Sequence, residues 1–136
     1  MTEDNHLKLF IEEAKLIQDI IKRMADNSFK IKGWTVALIV IAMIFRSQVD
    51  SIFIVFIPLL AFCILDSYYL SIERKFRILF DIKVRDFRNT NFDNIFKFDI
   101  NTKINLCDIL ESFISKSIWI FYGSIFVLVL VFKCLN

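Results

Sequence analysis

Three uncharged apolar runs govern what this chain can become: Trp34 to Phe45 (WTVALIVIAMIF), Ile52 to Leu65, and Ile118 to Phe132 (IWIFYGSIFVLVLVF). At 12, 14 and 15 residues each falls short of the ~20 that cross a bilayer core of about 30 Å, so flanking residues must complete every span. Phe29 to Gly33 extends the first, with Lys30 and Lys32 snorkelling to the headgroups. Only Arg46 to Ser51 separates the first two runs, which forces an antiparallel helical hairpin. Pro58 falls inside the second, where a membrane helix tolerates proline, and the helix is expected to continue through Asp66, Tyr68, Tyr69 and Leu70. Tyr68 and Tyr69 then stand where an aromatic belt belongs, as do Trp119 and Tyr122 at the start of the third run. A soluble alternative fails on size, because 136 residues that are 57% hydrophobic, with a mean hydropathy of +0.58, cannot hide that much Ile, Leu, Val and Phe behind their own surface. A signal peptide is disfavoured by the acidic residues before the first run and the lack of an A-x-A-like site after it.

The segments outside these runs follow helical logic. Phe10, Ala14, Ile17, Ile21 and Met24 alternate spacings of four and three and align on one side of an amphipathic helix, with charges on the other faces. That stripe either packs on the chain's own domain or forms an oligomer interface. Asn27 and Ser28 interrupt the pattern. Between the second and third runs the chain is rich in charge; Phe96, Phe98 and Ile100 alternate as in a short strand or an extended surface segment, and Asp108 to Ser117 reads as a lead-in helix. The expected fold is an all-α membrane protein: a cytoplasmic amphipathic helix over 1–28, a two-span hairpin over 29–71, a cytoplasmic insert over 72–116 and a third span over 117–136.

Basic residues set the orientation, since Lys and Arg concentrate on the cytoplasmic side. Fifteen fall in residues 1–32 and 72–116, against Arg46 and Lys133 elsewhere. This predicts an inside N-terminus and an outside C-terminus.

Catalytic chemistry finds little to work with. Two glycines, Gly33 and Gly123, leave no phosphate-cradling loop, and His6 is the only histidine. Cys63, Cys107 and Cys134 stand singly, with neither zinc spacing nor a disulfide framework. No cofactor or metal is expected, nor any enzyme activity. Asp66 is the acidic residue nearest membrane depth; it either lines a cavity and attracts cations, or is an interfacial carboxylate paired with Lys32 or capped by hydroxyls. Thr35, Ser67, Ser117 and Ser124 are the other polar side chains available to a pore. Arg74, Lys75 and Arg77, interleaved with Phe76 and Phe80, form with Lys22, Arg23, Lys30 and Lys32 a basic surface able to hold phosphates; bound anionic lipid is the simpler use of the same charges.

Two stretches, Arg23 to Trp34 (RMADNSFKIKGW) and Leu65 to Phe80 (LDSYYLSIERKFRILF), followed by a polar segment and a final hydrophobic helix, resemble a group of small bacterial membrane proteins that act as effectors in anti-phage systems. The resemblance covers most of residues 20–132. It extends to the channel-forming subunit of the Hailong system, in which a partner nucleotidyltransferase makes a DNA oligomer that holds an oligomeric channel shut. The resemblance thus implies residence in the bacterial inner membrane, a homo-oligomer (a tetramer by this resemblance alone) whose spans surround a pore, and a single-stranded DNA ligand on the cytoplasmic basic surface. A ligand-gated ion channel is the function expected on these grounds; the alternative is a membrane anchor or adaptor that recruits a cytoplasmic partner through residues 73–116.

Overall fold

The computed structural model describes residues 3–45, 53–89, 96 and 105–135, and these are helical apart from short turns, without a strand among them. The elements are α1 (Glu3–Ile44), α2 (Phe53–Arg88), α3 (Leu106–Phe113) and α4 (Lys116–Leu135). Both α1 and α2 are long and apolar enough to cross a membrane, and α3 with α4 makes a third such segment if the bent pair counts as one span. The hairpin of α1 and α2 is the body of the molecule, and α3 and α4 rest on α2.

Neither the boundary at residue 28 nor the one at residue 71 is a break in structure. Helix α1 runs unbroken through Asn27 and Ser28. A mid-helix serine destabilises chiefly by competing for backbone hydrogen bonds, and Ser28 is diverted from that by donating its hydroxyl to Asp66 Oδ1 on α2. Helix α2 likewise passes Pro58 and continues to Arg88, so residues 72–88 of the expected insert belong to the hairpin. Burial explains the extension: Ser71, Glu73, Leu79 and Lys83 are all buried, which carries the packed face of α2 well past the apolar run. Of the proposed alternating segment, Phe98 and Ile100 lie outside the described residues; Phe96 occupies a turn with φ 58°, its N–H donated to Glu13 Oε1 at 3.2 Å.

In register, Phe10 stacks on Phe87 with centroids 4.2 Å apart, Glu13 faces Lys83 and Lys32 faces Asp66. An apolar cluster of Ile39, Val55, Leu59, Cys63, Ile118, Tyr122 and Val129 joins α1, α2 and α4. Tyr122 ties α4 to α2 by donating its hydroxyl to the Phe62 carbonyl at 3.1 Å. The outer face of α4 is bare, with Ile120, Val127, Leu128 and Val131 all more than half exposed, as suits a helix whose solvent is lipid.

The lead-in to the last span is a separate helix. Helices α3 and α4 meet at 61°, broken where Ser115 N–H bonds back to the Ser112 carbonyl and the Ser115 carbonyl then accepts from Ile118 and Trp119. Cys107 on α3 and Cys134 near the end of α4 are both exposed thiols, whereas Cys63 is buried. With α4's 20 residues spanning about 30 Å, a membrane-impermeant maleimide applied to sealed vesicles should label Cys134 from one face and Cys107 only from the other. Labelling of both thiols from the same face would eliminate α4 as a span.

Candidate functional site: a polar clasp between two helices

The stretches Arg23 to Trp34 and Leu65 to Phe80 meet each other in space. From the first, Ser28 and Lys32 reach across to Asp66 of the second: Lys32 Nζ lies 2.6 Å from Asp66 Oδ2 and donates to Ser28 Oγ at 2.9 Å, while Ser28 donates to Asp66 Oδ1. Asp66 is fully buried. A charge in such a place is tolerated only when paired and hydrogen-bonded, and here both carboxylate oxygens meet a partner. The Phe121 ring of α4 sits beneath the same ammonium, its centroid 5.9 Å from Nζ, a distance at which the ring face attracts a cation.

The side chains proposed for a pore therefore divide. Thr35 and Ser67 are fully buried beside the clasp and spend their hydroxyls on their own helices, Thr35 on the Ile31 carbonyl and Ser67 on that of Cys63, both at 2.8 Å. Together with Asp66 they fill the interior of the hairpin and line no open surface. Ser117 and Ser124 are exposed on α4, Ser124 donating to the Phe121 carbonyl at 2.8 Å.

The basic surface divides in the same way. Lys75 binds Asp108 of α3 at 2.5 Å, and Arg74 donates to Ser115 Oγ at 2.8 Å, so these two cations fix α3 and the elbow before α4. Arg77 pairs with Glu73 one turn earlier on α2 at 2.7 Å, and Lys32 belongs to the clasp. Lys22, Arg23 and Lys30 are exposed, and no ion pair forms on them among the described residues. The helical register sets Lys22 and Arg23 at the level of Arg74 and Lys75, so the expected clustering at one height of the hairpin is present, but half of it is occupied by α3.

The stripe assigned to an oligomer interface is largely spent within the chain. Ile17 has no exposed surface, Phe10 stacks on Phe87, and Ala14, Ile21 and Met24 are half-buried.

A second buried pair escaped the sequence reading. Glu13 Oε1 lies 2.7 Å from Lys83 Nζ, with side chains 1% and 6% exposed. Its signal was present: Glu13 follows Phe10 by three residues and precedes Ile17 by four, which places a carboxylate inside the apolar stripe and calls for a cation opposite.

Comparison with protein-family models, curated proteins and solved structures found no match. Among the described residues no group of His, Cys, Asp and Glu could hold a metal ion. The clasp joins α1 to α2 through Lys32, Ser28 and Asp66, and Lys22, Arg23 and Lys30 are exposed on α1.

Asp108 offers a pH handle outside the apolar runs. The Lys75 ammonium, and then the Asn105 N–H at 2.9 Å, hold its carboxyl below the usual aspartate value. A depressed carboxyl contributes stability above its unfolded pKa and loses it as pH falls through the folded value. The contact should therefore persist through neutral and mildly acidic pH and release only below the ordinary aspartate range, near 3.8. Trp119 fluorescence, followed through an acid titration of the Trp34→Phe protein and compared with Asp108→Asn at neutral pH, reports whether α3 has been freed.

Proposed function

We infer that the chain is the subunit of a homo-oligomeric membrane effector that permeabilises the bacterial inner membrane during phage defence, and that its conduit forms between subunits and not within one. The observation that supports this placement is the filled interior: Asp66, Thr35 and Ser67 are consumed inside the hairpin, whereas Ser117 and Ser124, two helical turns apart, share an exposed face of α4. Lys22, Arg23 and Lys30 remain for an anionic ligand, with single-stranded DNA as the form implied by the resemblance. The test is reconstitution into potassium-loaded vesicles. Wild-type protein should release potassium, Ser124→Phe should slow the release without dissolving the oligomer, and added oligonucleotide should close it. Tight vesicles containing an oligomer of verified mass would end the channel reading.

A membrane adaptor is the second reading, and the length of the hairpin favours it. Helix α1 has 42 residues and α2 has 36, about 63 and 54 Å at 1.5 Å per residue, roughly twice the thickness of a hydrocarbon core. The polar half is then a two-helix stalk beyond the bilayer, clamped by the Glu13–Lys83 pair and available to a soluble partner. Crosslinking from an exposed stalk position such as Lys15 in intact cells should capture a second protein if this reading holds, and only further copies of the chain if it does not.

A further inference from the structure

We propose that the outer groove between α1 and α2 is a binding site for an anionic phospholipid, its headgroup on Lys30 and its acyl chain along Trp34, Leu65 and Phe62. The inference rests on the membrane-spanning character of the hairpin and not on whether the oligomer conducts. A cleft of about 170 Å³ lies here, walled on one side by Asn27, Lys30, Ile31 and Trp34 of α1 and on the other by Phe62, Leu65 and Tyr69 of α2. Residues three and four apart share a helix face, so each wall is a single continuous stripe.

The two stripes change character in the same direction. On α1 the order towards the apolar run is Asn27, Lys30, Ile31, Trp34, from amide and ammonium to indole. On α2, running the other way, it is Tyr69, Leu65, Phe62, from phenol to hydrocarbon. Because the helices are antiparallel in the register fixed by Lys32 and Asp66, the polar ends coincide, and so do the apolar ends. A groove polar at one end and greasy at the other matches an amphiphile, and Trp and Tyr lie where such rings settle at a bilayer interface.

Charge selects the class of headgroup. Asp66 is the nearest buried carboxylate, and its charge is met by Lys32 and Ser28. It does not cancel Lys30. Asp26 is exposed one turn away and does not line the cleft. Among the described residues no carboxylate lies within ion-pair distance of Lys30, whose ammonium is thus presented to the groove with the Asn27 amide and Tyr69 phenol beside it as uncharged donors for phosphate oxygens. The groove lies on the face lined by α1 and α2, distinct from the apolar cleft between α2 and α4 lined by Leu60, Trp119, Gly123 and Phe126, which has no charged side chain to choose one headgroup over another.

Native mass spectrometry of the detergent-solubilised protein, titrated with phosphatidylglycerol or phosphatidylcholine, reads this directly. Phosphatidylglycerol should bind in preference, and Lys30→Ala should weaken it about fivefold, as expected for one lysine at a membrane surface. Lys15→Ala, also an exposed cation of α1 but outside the groove, should leave binding unchanged and controls for general charge. Trp34→Ala should weaken both lipids by removing the chain contact. Equal binding of the two lipids by wild type, or equal loss in Lys30→Ala and Lys15→Ala, would overturn the assignment. Displacement of the lipid by millimolar inorganic phosphate would overturn it too, because the groove would then be a site for a soluble anion.

Discussion

Replacing Lys32 by methionine is expected to lower the stability of the hairpin by about 3–5 kcal/mol, the usual cost of removing one member of a buried ion pair. The loss is large because Asp66 has no surface through which water could take over the missing contact; the Ser28 and Tyr122 hydroxyls, both uncharged, are then its neighbours. Methionine retains most of the lysine stem, so packing against Phe121 changes little. The double variant Lys32→Met with Asp66→Leu should recover most of the loss, since a well-packed apolar pair can match a buried salt bridge. Loss of helical signal against SDS, followed by circular dichroism in mixed micelles, gives both differences. A single-variant cost below about 1 kcal/mol, the range of solvent-exposed pairs, would mean that Asp66 is open to solvent or to a lumen.

Ile17→Ala tests the other half of the hairpin. Ile17 has no exposed surface, and deleting most of a buried isoleucine costs about 2–5 kcal/mol through lost transfer energy and the cavity left behind. The same denaturation should detect it, while the mass of the protein that remains folded, measured by light scattering, should match wild type. A fall in oligomer mass with the hairpin's stability intact would instead place Ile17 in a seam between subunits, as its heptad spacing alone allows.

The all-helical class and the hairpin were legible because apolar runs and a six-residue connector leave the backbone few options. Asp66 was readable as a choice between a lone charge and a partner of Lys32, and geometry resolved it towards Lys32 with Ser28 as the capping hydroxyl. What sequence could not supply was the extent of α2. Residues 73–88 look like a charged surface segment in one dimension, yet three of its cations have destinations elsewhere in the fold: Lys83 on Glu13, Lys75 on Asp108, Arg74 on Ser115. Topology explains why basic residues gather there, and tertiary partners explain which of them remain free. From the set read as ligand-binding, Lys22, Arg23 and Lys30 stay free of ion pairs among the described residues, because Lys32, Arg74 and Lys75 have partners far away in the chain and Arg77 is taken by Glu73 one turn back. The 61° elbow was hidden for a similar reason, since its fastening serine is unremarkable in a stretch rich in serine.

The two buried ion pairs also write a directional code into the hairpin. Reading from the N-terminus, α1 offers an anion at Glu13 and then a cation at Lys32; α2 offers an anion at Asp66 and then a cation at Lys83. Laid antiparallel, every sign meets its opposite. Laid parallel in the same span of contact, Glu13 would face Asp66 and Lys32 would face Lys83, two like-charge collisions inside a dry interface, where each unpaired ion costs several kcal/mol. The pattern therefore also disfavours parallel pairing of α1 with α1, or of α2 with α2, through this face in copies that share one orientation, since Glu13 would meet Glu13 and Lys83 would meet Lys83. It also rejects sliding, since a shift by one helical turn strands both cations at once among leucines and phenylalanines. Hydrophobic contact alone is nearly blind to such shifts in lipid, so four side chains confer a discrimination that the apolar residues around them cannot.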